Sequence, residues 1–189
     1  MEENKLYVSC IKPEDGASAK AARHLCGEHE LLLCESFEEA VEKVVSGVAE
    51  YAVLPVENSL SGGVLECLDL LEEREIFGTK ELLLPIDEKG NYARFIRVER
   101  RGKLPSRSVM VFLCAVCPDK PGSLLGLLKI FQRHGLNLTR IESRPVKETF
   151  GQYRFFIECV GDIEGERVKT ALSEARGYCL QFKLLGAYD

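Results

Sequence analysis

The residues with the clearest chemical potential lie between Asp119 and Pro145. Pro121 and Gly122 break the apolar run that ends at Cys117, and Leu124, Leu127, Leu128 and Phe131 then recur at the spacing of one helix face. Gly135 stops that helix as a C-cap. A helix starting just past Gly122 leaves backbone amides near Ser123 and Leu124 without intrahelical partners, and their partial positive charge suits a carboxylate. An ordinary strand-to-helix corner with no ligand uses the same turn residues, so the pattern leaves both readings open. The chain returns through residues 136–141 as a strand and runs into Glu142-Ser143-Arg144-Pro145. Pro145 has no amide hydrogen for a central ladder, so this end is an edge or an exit.

Other reactive side chains form weaker patterns. Cys114-Ala115-Val116-Cys117 has C-x-x-C spacing, but it falls within a predicted strand, where residues three apart point to opposite faces. No second pair at metal spacing follows, so no metal and no cofactor are expected. Most of the eight cysteines lie in apolar segments and read as small buried hydrophobes. His24, His29 and His134 show no ligand spacing with acids or cysteines and are expected at the surface.

The 189 residues suffice for one large or two small domains, and a hydrophobic content of 46% can supply a core for each. A net charge of −5 offers no basic stripe to displace counterions from phosphates, which argues against a nucleic-acid partner. Arg100-Arg101-Gly102-Lys103 is the one basic cluster and reads as solvated linker. The start, Met1-Glu2-Glu3-Asn4-Lys5, has no apolar signal core, and no apolar run approaches the ~20 residues of a membrane span. A soluble, cytoplasmic protein without a membrane partner is expected.

Strand and helix alternate along the first half: strand 6–11, helix 17–26, strand 31–34, a helix capped by Ser36 with Glu39, strand 51–55, a loop over 56–63, a helix near 64–73, extended chain over 76–86, a turn at Glu88-Lys89-Gly90 and strand 93–99. This order predicts a small α/β lobe with a mostly parallel sheet covered by helices. Residues 102–107, with Pro105, read as a linker. Beyond it come strand 108–117, the central helix and strand, strand 152–160, helix 166–175 and strand 179–188, the βαββαβ order of a ferredoxin-like layer. In the last strand only one face looks core-bound. Such half-polar edges invite pairing with a second copy.

The stretch from Asp119 to Pro145 resembles the first half of an ACT domain, a small regulatory fold that binds amino acids, and its Glu-Ser-Arg-Pro element is similar to that at the end of prephenate dehydratases. The resemblance implies that Pro121, Gly122, Ser123, Leu124 and Leu125 of one subunit and Glu142, Ser143, Arg144 and Pro145 of another hold phenylalanine across a homodimer interface; Asn137, just after the Gly135 helix stop, is expected to orient the ammonium through its side-chain oxygen. Pro55-Val56-Glu57-Asn58-Ser59-Leu60-Ser61-Gly62 resembles the Pro-x-Glu-Asn-Ser-x-x-Gly loop of the prephenate dehydratase catalytic domain. Lys12-Pro13-Glu14 and Asn91-Tyr92-Ala93-Arg94-Phe95 fall where that family has its Gly-Pro-x-Gly-Thr-x-Ser and Asn-x-Thr-Arg-Phe segments. The domains implied are a truncated dehydratase-like lobe at 1–101, the linker at 102–107 and an ACT domain at 108–189.

Three departures qualify the resemblance. The family's catalytic threonine is Ala93 here, Asp15 and Gly16 replace the glycine and threonine of its first loop, and only residues 87–92 separate strands between which the family inserts a second lobe. Asn58, Ser59, Arg94 and Phe95 remain as residual substrate-site positions; the first three either bind a small carboxylate or only cap a helix and fix a loop. The expected function is therefore a phenylalanine-binding regulatory protein, inactive alone, acting on a partner such as another enzyme of aromatic amino-acid synthesis or as a free sensor. The alternative is a divergent dehydratase that converts prephenate to phenylpyruvate.

Overall fold

A computed structural model of the chain describes residues 6–100, 102, 105, 107–147, 149 and 151–189. The N-terminal segment 1–5, and parts of the basic cluster and of the expected linker, lie outside the described residues. The chain divides into two compact units, Met1–Lys103 and Leu104–Asp189.

In the first unit, β1 (Tyr7–Ile11), α1 (Ala17–Cys26), β2 (Glu30–Cys34), α2 (Phe37–Val45) and β3 (Tyr51–Asn58) follow in order. They are succeeded by β4 (Gly62–Gly63), α3 (Leu65–Glu73), β5 (Ile76–Pro85) and β6 (Tyr92–Arg100). The sheet order is β2-β1-β3-β6-β5, with β4 on β3. The sheet is mixed rather than mostly parallel. β1 runs parallel to β2 and β3, because α1 and α2 provide the long crossovers that parallel pairing needs. β6 is antiparallel to both β3 and β5, because the connection from β5 to β6 is only a tight turn.

Alternation along β1 divides the layers. Val8 and Cys10 join Ala19, Ala21 and Ala22 of α1 in one core, while Ser9, fully buried, donates its hydroxyl to Ala40 O of α2 at 2.7 Å. At the start of α2, Ser36 Oγ accepts from Glu39 N at 3.1 Å and the Glu39 carboxylate accepts from Glu35 N at 2.9 Å. The sequence signal for that cap is thus met, with the return bond one residue early.

In the second unit, β7 (Met110–Val116), α4 (Ser123–Arg133), β8 (Leu138–Pro145), β9 (Tyr153–Val160), α5 (Glu166–Tyr178) and β10 (Gln181–Tyr188) give the expected βαββαβ order. The strands lie β10-β7-β9-β8 with every pair antiparallel, and α4 and α5 touch. β8 begins later than expected, at Leu138, and ends on Pro145. The one-sided pattern expected of β10 fails: a bulge between Leu184 and Gly186 shifts the faces, and Leu184, Leu185, Ala187 and Tyr188 are all buried. His29 and His134 are also less exposed than expected, each with a ring nitrogen 3.0 Å from a carboxylate, of Glu50 and Glu174 respectively. Among the described residues, no helix is long and apolar enough to cross a membrane, and no group of three or more His, Cys, Asp or Glu is placed to hold a metal.

Asp87 organises the turn between β5 and β6. Its carboxylate accepts from Lys89 N at 2.9 Å, from Asn91 N at 3.1 Å and from Asn91 Nδ2 at 2.6 Å, while Gly90 takes the left-handed φ of 84°. The Asn91 side chain foremost, and then the backbone amides, hold the Asp87 carboxyl below its usual 3.8. A depressed carboxyl contributes stability above its unfolded value and loses it as pH falls through the folded one. In acid titrations of urea stability, Asp87→Asn is expected to keep the turn but to flatten that part of the loss below about pH 3.8. An acid limb identical to the parent's would refute this role.

Candidate functional site

Two places gather the residues singled out by sequence. The first is the end of the first unit where β3, β5 and β6 meet. Here β3 continues past Pro55 to Asn58 and returns through β4, so part of the expected loop is a hairpin. Asn58 Oδ1 accepts from the amides of Leu60 and Ser61 at 3.0 and 2.8 Å, and Asn58 Nδ2 donates to Ser61 Oγ at 2.8 Å. Ser59 Oγ accepts from Tyr92 N at 3.1 Å and lies 3.4 Å from Asn91 Oδ1. Both side chains are engaged in shaping the loop.

Arg94 lies between two acids. Its Nη2 is 3.3 Å from Glu57 Oε2 and its Nη1 is 3.2 Å from Glu81 Oε2, with the arginine side chain only 15% exposed. The guanidinium thus already faces two carboxylates. Phe95, 2% exposed, and Ala93 both belong to the core under α1. Phe95 is therefore a packing residue.

The second place is the start of α4. Gly122 precedes the helix at φ 84°, a left-handed conformation that side chains resist, and no side chain caps the helix. The Ser123 amide, expected to face a carboxylate, instead donates to Lys120 O at 3.1 Å, which leaves Leu124 and Leu125 as the donors at the helix start. A cavity of about 140 Å³ adjoins this turn, lined among others by Cys117, Lys120, Ser123, Leu124 and Tyr153. Tyr153 stands opposite Pro145 in the β8–β9 ladder, so Glu142 to Pro145 lie one strand away from the cavity and do not line it. Asn137 is exposed, and its carbonyl accepts from Val160 N at 2.9 Å. A hollow of about 480 Å³ lies at the opposite end of the first unit, beside Tyr7, Glu50 and Arg100. It is remote from the Arg94 group.

Known proteins share this fold. The prephenate dehydratase family model matches residues 13–89 and the ACT domain model residues 111–177. The solved prephenate dehydratase of Streptococcus mutans is 31% identical, with a TM-score of 0.85 and 97% of each chain covered. This chain belongs to the prephenate dehydratase family. GqqA, described as a novel type of quorum quenching acylase, is 28% identical, with a TM-score of 0.87 over 98% of this chain and 95% of its own. The prephenate dehydratase of Arthrobacter aurescens, solved in complex with L-Phe, has the same fold at 23% identity, with a TM-score of 0.86 and coverage of 97% and 90%. Curated prephenate dehydratases and a bifunctional chorismate mutase/prephenate dehydratase are 38% identical over 102 to 105 residues, and the matched stretch spans about a third of their length. The dehydratase match ends at Lys89, inside the Asp87 turn.

Sequence reading missed one contact at the α4 start. Helix α5 runs on to Tyr178, whose hydroxyl donates to Ser123 O at 2.9 Å and whose ring covers Gly126. A Cβ on Gly126 would collide with that hydroxyl and come within 2.7 Å of Cζ. The signal was present as a glycine in mid-helix, a placement that costs about 1 kcal/mol and calls for a packing reason. In an empty environment Gly126→Ala would stabilise by roughly 0.8–1.0 kcal/mol. Against Tyr178 it is expected to destabilise by about 1–2 kcal/mol as an overpacked contact. A double-mutant cycle in denaturant should show the sign reversed once Tyr178→Ala is present, and additive changes would refute the contact.

Proposed function

We propose that the chain is an L-phenylalanine-binding regulatory member of the prephenate dehydratase family that does not dehydrate prephenate by itself. The observation that carries this reading is the contrast between its two candidate places: Arg94 is enclosed by Glu57 and Glu81, whereas the α4 start holds uncapped amides beside a cavity. Prephenate dehydration needs a proton delivered to a leaving hydroxyl in a site closed to water. Loss of the acid-base hydroxyl at position 93 costs on the order of 10²- to 10⁴-fold, and the doubled carboxylates oppose binding of a dianion.

The phenylalanine carboxylate meets the amides of Leu124 and Leu125, and the ring lies against Leu125, which is 55% exposed. Asn137 orients the ammonium, and Glu142, Ser143, Arg144 and Pro145 of a second copy complete the site. A cavity of about 140 Å³ is smaller than the roughly 300 Å³ at which ligand pockets begin, so a second copy is needed to enclose the amino acid. β8 ends the strand order of its unit and leaves Ile141 47% exposed, which suits an isologous homodimer. Burying the ring supplies roughly 1.5–3 kcal/mol and the charged ends a comparable amount, which suits a micromolar to sub-millimolar sensor. The A. aurescens protein of the same fold holds L-Phe, and this supports the choice of amino acid. The proposed location is the cytoplasm, with aromatic amino-acid synthesis as the process regulated.

Calorimetry with L-phenylalanine is expected to show binding, and Gly122→Val to abolish it. Positive φ makes that substitution cost about 1–2 kcal/mol of stability, so circular dichroism should still report a folded chain. No heat up to several millimolar, or unchanged binding by Gly122→Val, would overturn the site. Separately, phenylpyruvate production from prephenate is expected not to exceed the protein-free background, in the parent or in Ala93→Thr. Turnover proportional to protein concentration would favour the second reading, a dehydratase completed by another chain; the exposed Leu60, Ile86 and Tyr92 around the Asp87 turn are the feature that favours it.

A further inference from the structure

The hollow of about 480 Å³ in the first unit carries charge of both signs, with Glu50, Glu99 and Arg100 in its wall beside the exposed Leu6 and Val48. Its volume falls within the about 300–1,000 Å³ of small-molecule sites. Arg100 is exposed, and its guanidinium lies against Gly47, with Nη1 3.6 Å, Cζ 3.8 Å and Nη2 3.9 Å from the point where a Cβ on that glycine would sit. The loop thus steadies the head group, yet the guanidinium has no ion pair or hydrogen bond among the described residues. Glu99, with its side chain 30% exposed, is loosely held: its Oε2 is 3.5 Å from Thr79 Oγ1 and 3.8 Å from Arg97 Nη2. The neighbouring charges are better committed. Glu50 meets His29 Nε2 at 3.0 Å, and Arg97 donates to Thr79 Oγ1 at 3.0 Å with its Cζ 4.1 Å from the centre of the Tyr51 ring. Two opposite charges in one hollow therefore lack a strong partner.

We propose that this hollow binds a short peptide by its free ends, the carboxylate on Arg100 and the ammonium on Glu99. The planar guanidinium fork matches a carboxylate, and the Glu99 oxygens can accept from an ammonium. Glu99 and Arg100 are consecutive on β6, so their side chains leave on opposite faces of the sheet, and a ligand that meets both must reach around the strand end. A single α-amino acid, whose two charges are separated by one carbon, is too short for this. A dipeptide adds about 3.3–3.6 Å of extended chain. Its apolar side chain lies on Leu6 and Val48, which are 50% and 54% exposed. The ligand is neutral as a whole, as suits a wall in which Glu50 and Glu99 balance Arg97 and Arg100. No residue of the α4 start takes part, so the site is independent of the phenylalanine proposal.

The test is a titration of the isotope-labelled full chain followed by amide NMR, with the dipeptide alanyl-leucine as the probe. Saturable shifts are expected at Gly47, Ala49 and Glu50. Blocking either end of the probe, by N-acetylation or by amidation of its carboxylate, is expected to weaken binding by about tenfold or more, the worth of a hydrogen bond to a charged group. Arg100→Gln and Glu99→Gln should have the same effect, with the spectrum of each variant reporting that it is folded. The blocked probes need no variant, so their outcome stands even where Glu99→Gln disturbs Arg97. Free leucine is expected to bind more weakly than the dipeptide. No shift at these amides up to tens of millimolar, equal affinity for blocked and free probes, or shifts confined to Leu124 and Leu125 would overturn the site; leucine binding as tightly as alanyl-leucine would overturn its assignment to a peptide.

Discussion

One carboxylate with three donors, Asp87 in the turn between β5 and β6, sets what the first unit can do. Because the turn is tight, β5 must lie antiparallel against β6, and the register that follows places Leu83 opposite Arg94. On the other side of β6, a bulge between Pro55 and Glu57 brings Glu57 opposite the same arginine. Glu81, on the same face of β5 as Leu83, completes the pair of acids. The turn and the bulge thus bring two carboxylates to one guanidinium. Such a cluster fixes the sheet end, but it no longer offers free positive charge.

The second unit depends on shorter-range constraints. Gly122 supplies a positive φ immediately before α4, and Gly126 supplies the space that lets Tyr178 reach Ser123 O. The first is a matter of backbone sterics, the second of side-chain volume. Together they hold the helix start from both sides while leaving the amides of Leu124 and Leu125 uncapped. The edge position of β8 fits Pro145, whose missing amide hydrogen would break an interior ladder.

Element existence was legible in the sequence wherever periodicity and punctuation agreed: all five helices start within a residue or two of their signals, and the βαββαβ order was readable from spacing alone. Sheet direction in the first unit was not, because alternation of helix and strand stops at α3 and the hairpin that follows reverses the pairing. Pro55 misled for a local reason. It reads as a strand end, yet β1 pairs with β3 only at Tyr51 and Ala52, so Pro55 faces no ladder on that side and β3 passes through it. The Arg94 cluster was illegible because bulges decide it.

Catalysis and ligand sensing therefore make different demands on this fold. A dehydratase site needs side chains from several strands in mutual register, so it is sensitive to bulges and to the length of the connections between those strands. An amino-acid site at a helix start needs backbone amides and one glycine, all supplied within a single turn, and its remaining parts come from a strand end that a second copy can present. The local device survives changes in sheet register that the distributed one cannot. That asymmetry is the physical ground for proposing phenylalanine binding at the start of α4 without dehydration at the end of the first unit.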